Sequence, residues 1–459
     1  FAVCQYAEHL AADQVNRKLA FHKSAESLTF LPEEDKGKRR SGMERFPGQV
    51  FTFSQKQAMR SPAGGLEQLP PFTPSIELIS VENALGRIIA KDILAPEPLP
   101  AFDRSTVDGY AVHARDTYGA SESLPAYLNL VDEIPMGQPA RLLLEPHCAA
   151  PIHTGGMLPP GADSVVMLEH SQITGTGELE VIRSVAPLEN ILQVGEDVQP
   201  GQIILGKGKK IRPEEIGGCL ALGIQELFCF ARPRVGILSS GDEVITPDKS
   251  PLPGQIRDIN SFSLSALVHT AGGVPIQYGI LPDQSDIFEA GIFNALQQSD
   301  FLMITAGSSA STRDLTARVV QKMGKPGVLV HGVNIKPGKP TILAICNGKP
   351  VIGLPGNPVS AMMIARIFAI PVIQLLAGNQ HPSISPSIPA MLNVNLASQA
   401  GREDWIPVKL QKTSEGWNAE PIFFKSNLIF SLVQADGLIC IPPESNGIPI
   451  GQIVSVLPL

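Results

Sequence analysis

Charge is scarce in this 459-residue chain: Asp, Glu, Lys and Arg make up 17%, against roughly 25% in an average soluble protein. What charge there is leans acidic, 36 basic against 44 acidic residues, for a net −8. A duplex-binding protein of this size shows a basic excess or stripe, so nucleic acid is not an expected partner. The 6 cysteines are scattered with no C-x-x-C pair, which argues against a zinc ribbon and against a secreted disulfide scaffold. No internal repeat is visible. Residues 1–50 lack an apolar leader run and hold basic and acidic side chains in near-equal numbers, whereas transit peptides are poor in acids. The segment 1–52 is expected to be a poorly ordered tail, and the protein to be cytoplasmic. One run, 359–377, has the look of a membrane helix, but Arg366 and Pro371 inside it favour a buried core helix. No membrane partner is expected.

The chain does have turns and short apolar runs. Its 42 glycines and 41 prolines fall below the roughly 25–30% that marks low complexity, and its length suggests about three domains. Between 232 and 378, apolar runs at 235–238, 276–281 and 301–305 alternate with helical spacing at 261–271, 287–296 and 315–323. Runs at 340–346 and 350–354 meet at Asn347-Gly348, a strong hairpin signal. Such alternation predicts a doubly wound α/β sheet, whose ligands bind beyond the carboxyl ends of the strands.

Polar residues gather at those ends: Ser239 to Glu243, Asp283, Ala306 to Ser309 with Asp314, and Pro355-Gly356-Asn357-Pro358. Asn357 and Pro358 suit the first positions of a helix, which would leave N–H groups free for an anion. Lys336 and Lys339 bracket Pro337-Gly338 in a basic turn. The carboxylates Asp242, Glu243, Asp283 and Asp314 would repel an anion unless a hard cation lay between, which points to Mg²⁺. From composition alone, the stretch 102–111 and the turns at His153 to Gly156 and Gly195 to Asp197 read as structural.

The motifs at 102–112, 154–156, 195–197, 239–243, 258–260, 336–340 and 354–360 occur in the order found in the molybdopterin molybdenumtransferase family, which includes the carboxy-terminal domain of gephyrin. The sequence resembles that family over roughly 53–459. It departs at Ser311, where a glycine is usual, and at Lys425-Ser426-Asn427, where Gly-Ser-Gly is usual.

The resemblance implies an α/β multidomain enzyme. Its parts would be a segment-built dimerisation domain (53–100 plus 201–231), a β-rich domain (101–200), a central doubly wound molybdopterin-binding α/β domain (232–378) and a C-terminal β-barrel-like domain (379–459). The implied activity is molybdenum insertion: adenylylated molybdopterin and molybdate give molybdenum-molybdopterin, with Mg²⁺ and release of AMP. The alternatives are a molybdopterin adenylyltransferase, favoured by Arg313-Asp314-Leu315-Thr316, or a non-catalytic molybdopterin-binding scaffold.

The resemblance also assigns site residues. Asp108, Glu243 and Asp314 would be catalytic, and Glu243, Asp283 and Asp314 would hold the metal. Thr154, Asp197, Ser309, Lys336, Lys339, Pro355, Asn357 and Ser360 would bind substrate, with Asp108 and Asp197 reaching the cleft from the second subunit of a homodimer. A molybdopterin adenylyltransferase and acceptor molybdoenzymes would be further partners.

Overall fold

The computed structural model describes residues 74–306, 310–379 and 386–459, without the side chains of 310–313. The expected tail at 1–52, Ser309 and Ser311's side chain lie outside the described residues.

The α/β domain is built from strands β1 (Arg234–Ser240), β2 (Val274–Leu281), β3 (Phe301–Ala306), β4 (Pro326–His331), β5 (Ile342–Cys346) and β6 (Lys349–Pro355). They form one sheet in the order β2-β1-β3-β6-β5-β4. The first four in that order are mutually parallel; β5 runs antiparallel to both its neighbours, joined to β6 by the Asn347-Gly348 turn. Helices α1 (Asn260–Thr270), α2 (Ser285–Gln298), α3 (Ala310–Lys322) and α4 (Pro358–Ile364) connect and cover it. α3 begins earlier than its apolar spacing predicts, because its first turn is polar and carries no periodic signal.

Strand residues alternate between two cores, as the period of two requires. Val235, Ile237, Phe301, Met303, Ile352 and Leu354 face α1 and α4, while Leu238, Leu302, Ile304 and Val351 face α2 and α3. Burial on both faces is why these strands read as unbroken apolar runs. α4 continues through a π-turn at Ala365–Ala369 into Ile370–Leu376. The Ile370 N–H donates to Ala365 O, closing the wider turn just before Pro371. The whole helix, Pro358–Leu376, is long and apolar enough to cross a membrane, but 67% of its most apolar window is buried. It is packed as the core of this domain.

The C-terminal sheet closes on itself. Strands β7 (Ile388–Leu392), β8 (Glu403–Thr413), β9 (Gly416–Pro421), β10 (Gly437–Ile441) and β11 (Ile453–Pro458) run in the order β8-β9-β7-β11-β10, and β10 pairs back to β8. Closure removes the free edges and leaves a barrel filled by Leu392, Val408, Ala419, Ile439 and Val456. A short strand from the α/β domain joins the start of β8: Ile335–Lys336 pairs in parallel with Glu403 and Asp404. The predicted basic turn is thus stitched to the barrel.

Earlier in the chain, a six-stranded sheet is drawn from residues between Gly109 and Val181. It is flanked by a smaller unit in which Ile76–Ser80 pairs with Glu226–Phe230. That unit's core joins Val81 and Ile89 to Leu205, Ile211 and Leu227, from both sides of the β-rich insertion.

Gly109 has no room for a side chain, since a Cβ there would lie 1.9 Å from the Val166 carbonyl oxygen. Gly109→Ala forces the strand that follows Asp108 off its neighbour and is expected to cost about 3 kcal/mol or more, read as a lowered denaturation midpoint. A midpoint equal to wild type would contradict the packing described.

Candidate functional site

Two cavities flank Asn357. The larger, about 770 Å³, lies between the α/β domain and the barrel, and its α/β wall carries Lys336, Lys339, Pro355, Asn357 and Ser360. The sequence places these five at a site, and they line this one cavity. Gly338 makes the turn possible: its φ is +133°, and a Cβ would strike Ile364 of α4 at 2.4 Å. A glycine therefore lets the turn that carries both lysines pass close to the helix.

Of the barrel wall of this cavity, the sequence singles out only the motif stretch that holds Lys425 and Ser426. The wall supplies Asp404, Trp405, Ile406, Ile422, Phe423, Phe424, Lys425 and Ser426. Asp404 is 4% exposed and accepts from Arg402 Nε at 2.8 Å and Ser398 Oγ at 2.9 Å. Its Oδ2 stands 4.0 Å from Lys336 Nζ. Lys339 and Lys425 enter no ion pair among the described residues, so three ammonium groups face one carboxylate. The excess of positive charge favours an anion, and the aromatic side chains of the barrel wall favour an organic ring.

Asn357 differs from its expected role. Its side chain does not cap α4; Nδ2 donates to Ser426 Oγ at 3.0 Å instead. The Val359 N–H donates to Ser426 O at 3.1 Å. The start of α4 is thus tied to the barrel, and that N–H is not free for a ligand. A tertiary partner won over the local cap.

The second cavity, about 400 Å³, opens at the carboxyl ends of β1, β3 and β6 and is lined by Ser239, Ser240, Glu243, Asp258, Asn260, Thr305 and Asn357 among others. This is the crevice that a doubly wound sheet offers to ligands. Asp283 follows β2, where its N–H donates to Asp242 Oδ1 at 3.2 Å. Asp314 is an exposed residue of α3. Among the described residues, no three His, Cys, Asp or Glu side chains gather closely enough to hold a metal ion. Glu243, Asp283 and Asp314 are not assembled into an all-protein cage.

Asp108 and Thr154 are brought together in the β-rich unit. Asp108 Oδ1 accepts from the Thr154 N–H at 2.8 Å and its hydroxyl at 3.1 Å, with His153 Nδ1 at 3.7 Å. The Thr154 backbone N–H and hydroxyl hold the Asp108 carboxyl below its usual value, with smaller help from His153. Asp108 stays 55% exposed, so a buried structural ion pair is not its role. Asp197 sits in an exposed turn whose N–H reaches Leu99 O at 3.0 Å. None of the residues lining the two cavities comes from this β-rich unit.

A doubly wound domain with a strand-end crevice, joined through a basic turn to a closed barrel, defines a class of multidomain α/β proteins. Three family descriptions match in sequence: the MoeA N-terminal region (domain I and II) at 54–223, a probable molybdopterin binding domain at 236–375, and the MoeA C-terminal region (domain IV) at 389–459. A chain named for molybdopterin biosynthesis in Methanocaldococcus jannaschii is 38% identical over 392 residues, 83% of this chain and 92% of that one. A molybdopterin molybdenumtransferase of Haemophilus influenzae is 32% identical, covering 86% and 96%. The crystal structure of a molybdopterin biosynthesis MoeA protein from Pyrococcus horikoshii OT3 superposes with a TM-score of 0.75 at 30% identity, covering 88% and 99%. The chain belongs to the molybdopterin molybdenumtransferase family.

Proposed function

We propose that this protein is the transferase that inserts molybdenum into molybdopterin, taking adenylylated molybdopterin and molybdate and releasing AMP. The observation that carries the reading is the pair of cavities meeting at Asn357, one lined by lysines and aromatics, the other by hydroxyls and carboxylates. A substrate that is part heterocycle and part phosphate, with an oxyanion as co-substrate, needs both chemistries. Lys336, Lys339, Asn357 and Ser360 hold phosphate or molybdate, and Pro355 shapes the wall beside them. Ser309 lies outside the described residues, and its assignment to substrate rests on the family motif.

Glu243, Asp283 and Asp314 offer hard oxygen donors of the kind Mg²⁺ takes. No trio is preassembled among the described residues, so these carboxylates would hold Mg²⁺ only together with the substrate's phosphate. When bound, the ion neutralises phosphate charge. The protein's own residues position the two ends of the substrate and exclude water from the aromatic wall.

Asp108, Thr154 and Asp197 complete the cleft from the second subunit of a homodimer. The segment-built unit (53–100 plus 201–231) supplies the contact, where Leu78 and Phe228 stand opposite each other in register and are 50% and 39% exposed. Large apolar side chains left exposed in this way mark an interface. The β-rich unit spans 101–200, the α/β domain 232–378 and the barrel 379–459. The protein works in the cytoplasm, between a molybdopterin adenylyltransferase and the acceptor molybdoenzymes.

The purified protein, given adenylylated molybdopterin, Mg²⁺ and molybdate, should release AMP only when molybdate is present. Consumption of ATP with free molybdopterin would make it an adenylyltransferase. Tight binding without turnover would make it a scaffold.

A further inference from the structure

A buried relay runs under the strand-end cavity. The Ser261 hydroxyl donates to Asp258 Oδ2 at 2.6 Å, and the Ser261 N–H donates to Oδ1 at 3.0 Å. Ser261 Oγ lies 2.9 Å from Ser239 Oγ, which lies 2.8 Å from Thr305 Oγ1. None of the four is more than 6% exposed. Asp258, Ser239 and Thr305 all line the cavity.

The carboxylate fixes the direction of the whole chain. Ionised Asp258 can only accept, and each hydroxyl has one proton to give. Ser261 spends its proton on Asp258, so the Ser239–Ser261 contact must use the proton of Ser239. The Ser239–Thr305 contact must then use the proton of Thr305. Thr305 is left with lone pairs and no proton for a ligand: it is an obligate acceptor.

A second acceptor lies beside it. Asn260 Nδ2 donates to Gly356 O at 2.8 Å, which fixes the amide's orientation. Asn260 Oδ1 is buried in the same wall with no partner among the described residues, as is Ser240 Oγ. Of the two only the Asn260 oxygen is restricted to accepting, and a buried acceptor left unpaired is costly and calls for a donor. Arg257, also on the wall, donates its Nε to Pro247 O.

We propose that Asp258 is a positioning residue: through Ser261 and Ser239 it holds Thr305 as an acceptor, so that with Asn260 the cavity selects a heterocycle edge bearing adjacent N–H donors. Resting on the function proposed above, that edge is the aminopyrimidinone edge of a pterin, with its 2-amino group and N3–H. The selection is for hydrogen-bond polarity rather than for charge or shape. Lumazine, which carries an oxo group where pterin carries the 2-amino group, sets an acceptor against this wall.

The test compares 6-hydroxymethylpterin with 6-hydroxymethyllumazine by fluorescence titration of the full chain. Wild type should favour the pterin on the order of ten- to a hundredfold. In Asp258→Asn the new amide keeps the Ser261 N–H on its oxygen and donates Nδ2 to Ser261 Oγ. Every hydroxyl in the relay then turns round, and Thr305 presents a donor. The pterin-to-lumazine preference should collapse, while molybdate binding stays within about twofold of wild type. Ser239→Ala, which cuts the relay without changing charge, should lose most of the preference and decides the matter if Asp258→Asn does not fold. Thr305→Ser should retain it. An unchanged ratio in Asp258→Asn and Ser239→Ala, or equal weakening of both rings, would overturn the role of Asp258 and leave the proposed function intact. Failure of wild type to bind either ring would overturn the pterin reading and this inference with it.

Discussion

Replacing Lys336 and Lys339 together by alanine should weaken molybdate binding by on the order of a hundredfold or more. Both are exposed toward the larger cavity. A charge-assisted hydrogen bond is worth about 1.5–3 kcal/mol, so each lysine carries roughly a factor of ten or more. The cost to folding should stay within about 1 kcal/mol, because neither ammonium group is buried. Lys336 alone should matter less than Lys339, since Asp404 stands 4.0 Å from its ammonium and shares its charge. Equilibrium dialysis against molybdate reads all three variants. Affinity for molybdate within about threefold of wild type in the double variant would remove the basic turn from the site.

Mixing two inactive variants should restore activity, if the cleft is shared between subunits. Asp108→Ala and the double variant Lys336→Ala/Lys339→Ala are each expected to lose insertion while remaining folded dimers. In a dimer carrying one of each, one cleft receives both defects and the other receives neither. With random pairing, half the dimers are mixed and half their clefts are intact, so activity should return to about a quarter of wild type. A site confined to one protomer returns nothing, because every protomer is then defective. The recovery therefore separates the two geometries without a structure of the complex. It also bears on Asp108 itself, whose carboxylate is held ready by Thr154 yet lies outside both cavities of its own chain.

The α/β domain was legible because its chemistry repeats locally. Strands such as Phe301–Ala306 are buried on both faces and read as continuous apolar runs, and the polar turns at their ends are contiguous in sequence. The five cavity residues from Lys336 to Ser360 could be picked out for that reason. Most of the barrel wall could not. Trp405, Phe424 and Lys425 reach the cavity from a separate domain, and no periodicity links them to the basic turn. The stretch Lys425-Ser426-Asn427 departs from the glycine-rich pattern of the family, yet Lys425 and Ser426 line one cavity and Asn427 the other.

Asn357 shows the same limit from the other side. Its sequence context, just before a proline, predicts a helix cap, and the local prediction is sound physics. Ser426 lies about seventy residues further along and takes the amide instead. The relay at Asp258 is legible only in part. Its Asp-x-Asn spacing is visible, but Ser239 and Thr305 meet it only because β1 and β3 are neighbours in the sheet. Sequence indicates which residues approach the crevice; the direction of their hydrogen bonds needs the fold.

In the proposed function, one protein couples cleavage of the adenylate to capture of molybdenum. A single-turnover experiment with excess protein, adenylylated molybdopterin, Mg²⁺ and a molybdate titration measures AMP and pterin-bound molybdenum in the same sample. The two should rise together in equal amounts, and both should vanish without molybdate. AMP released at the same rate without molybdate, or molybdenum bound without AMP, would contradict it.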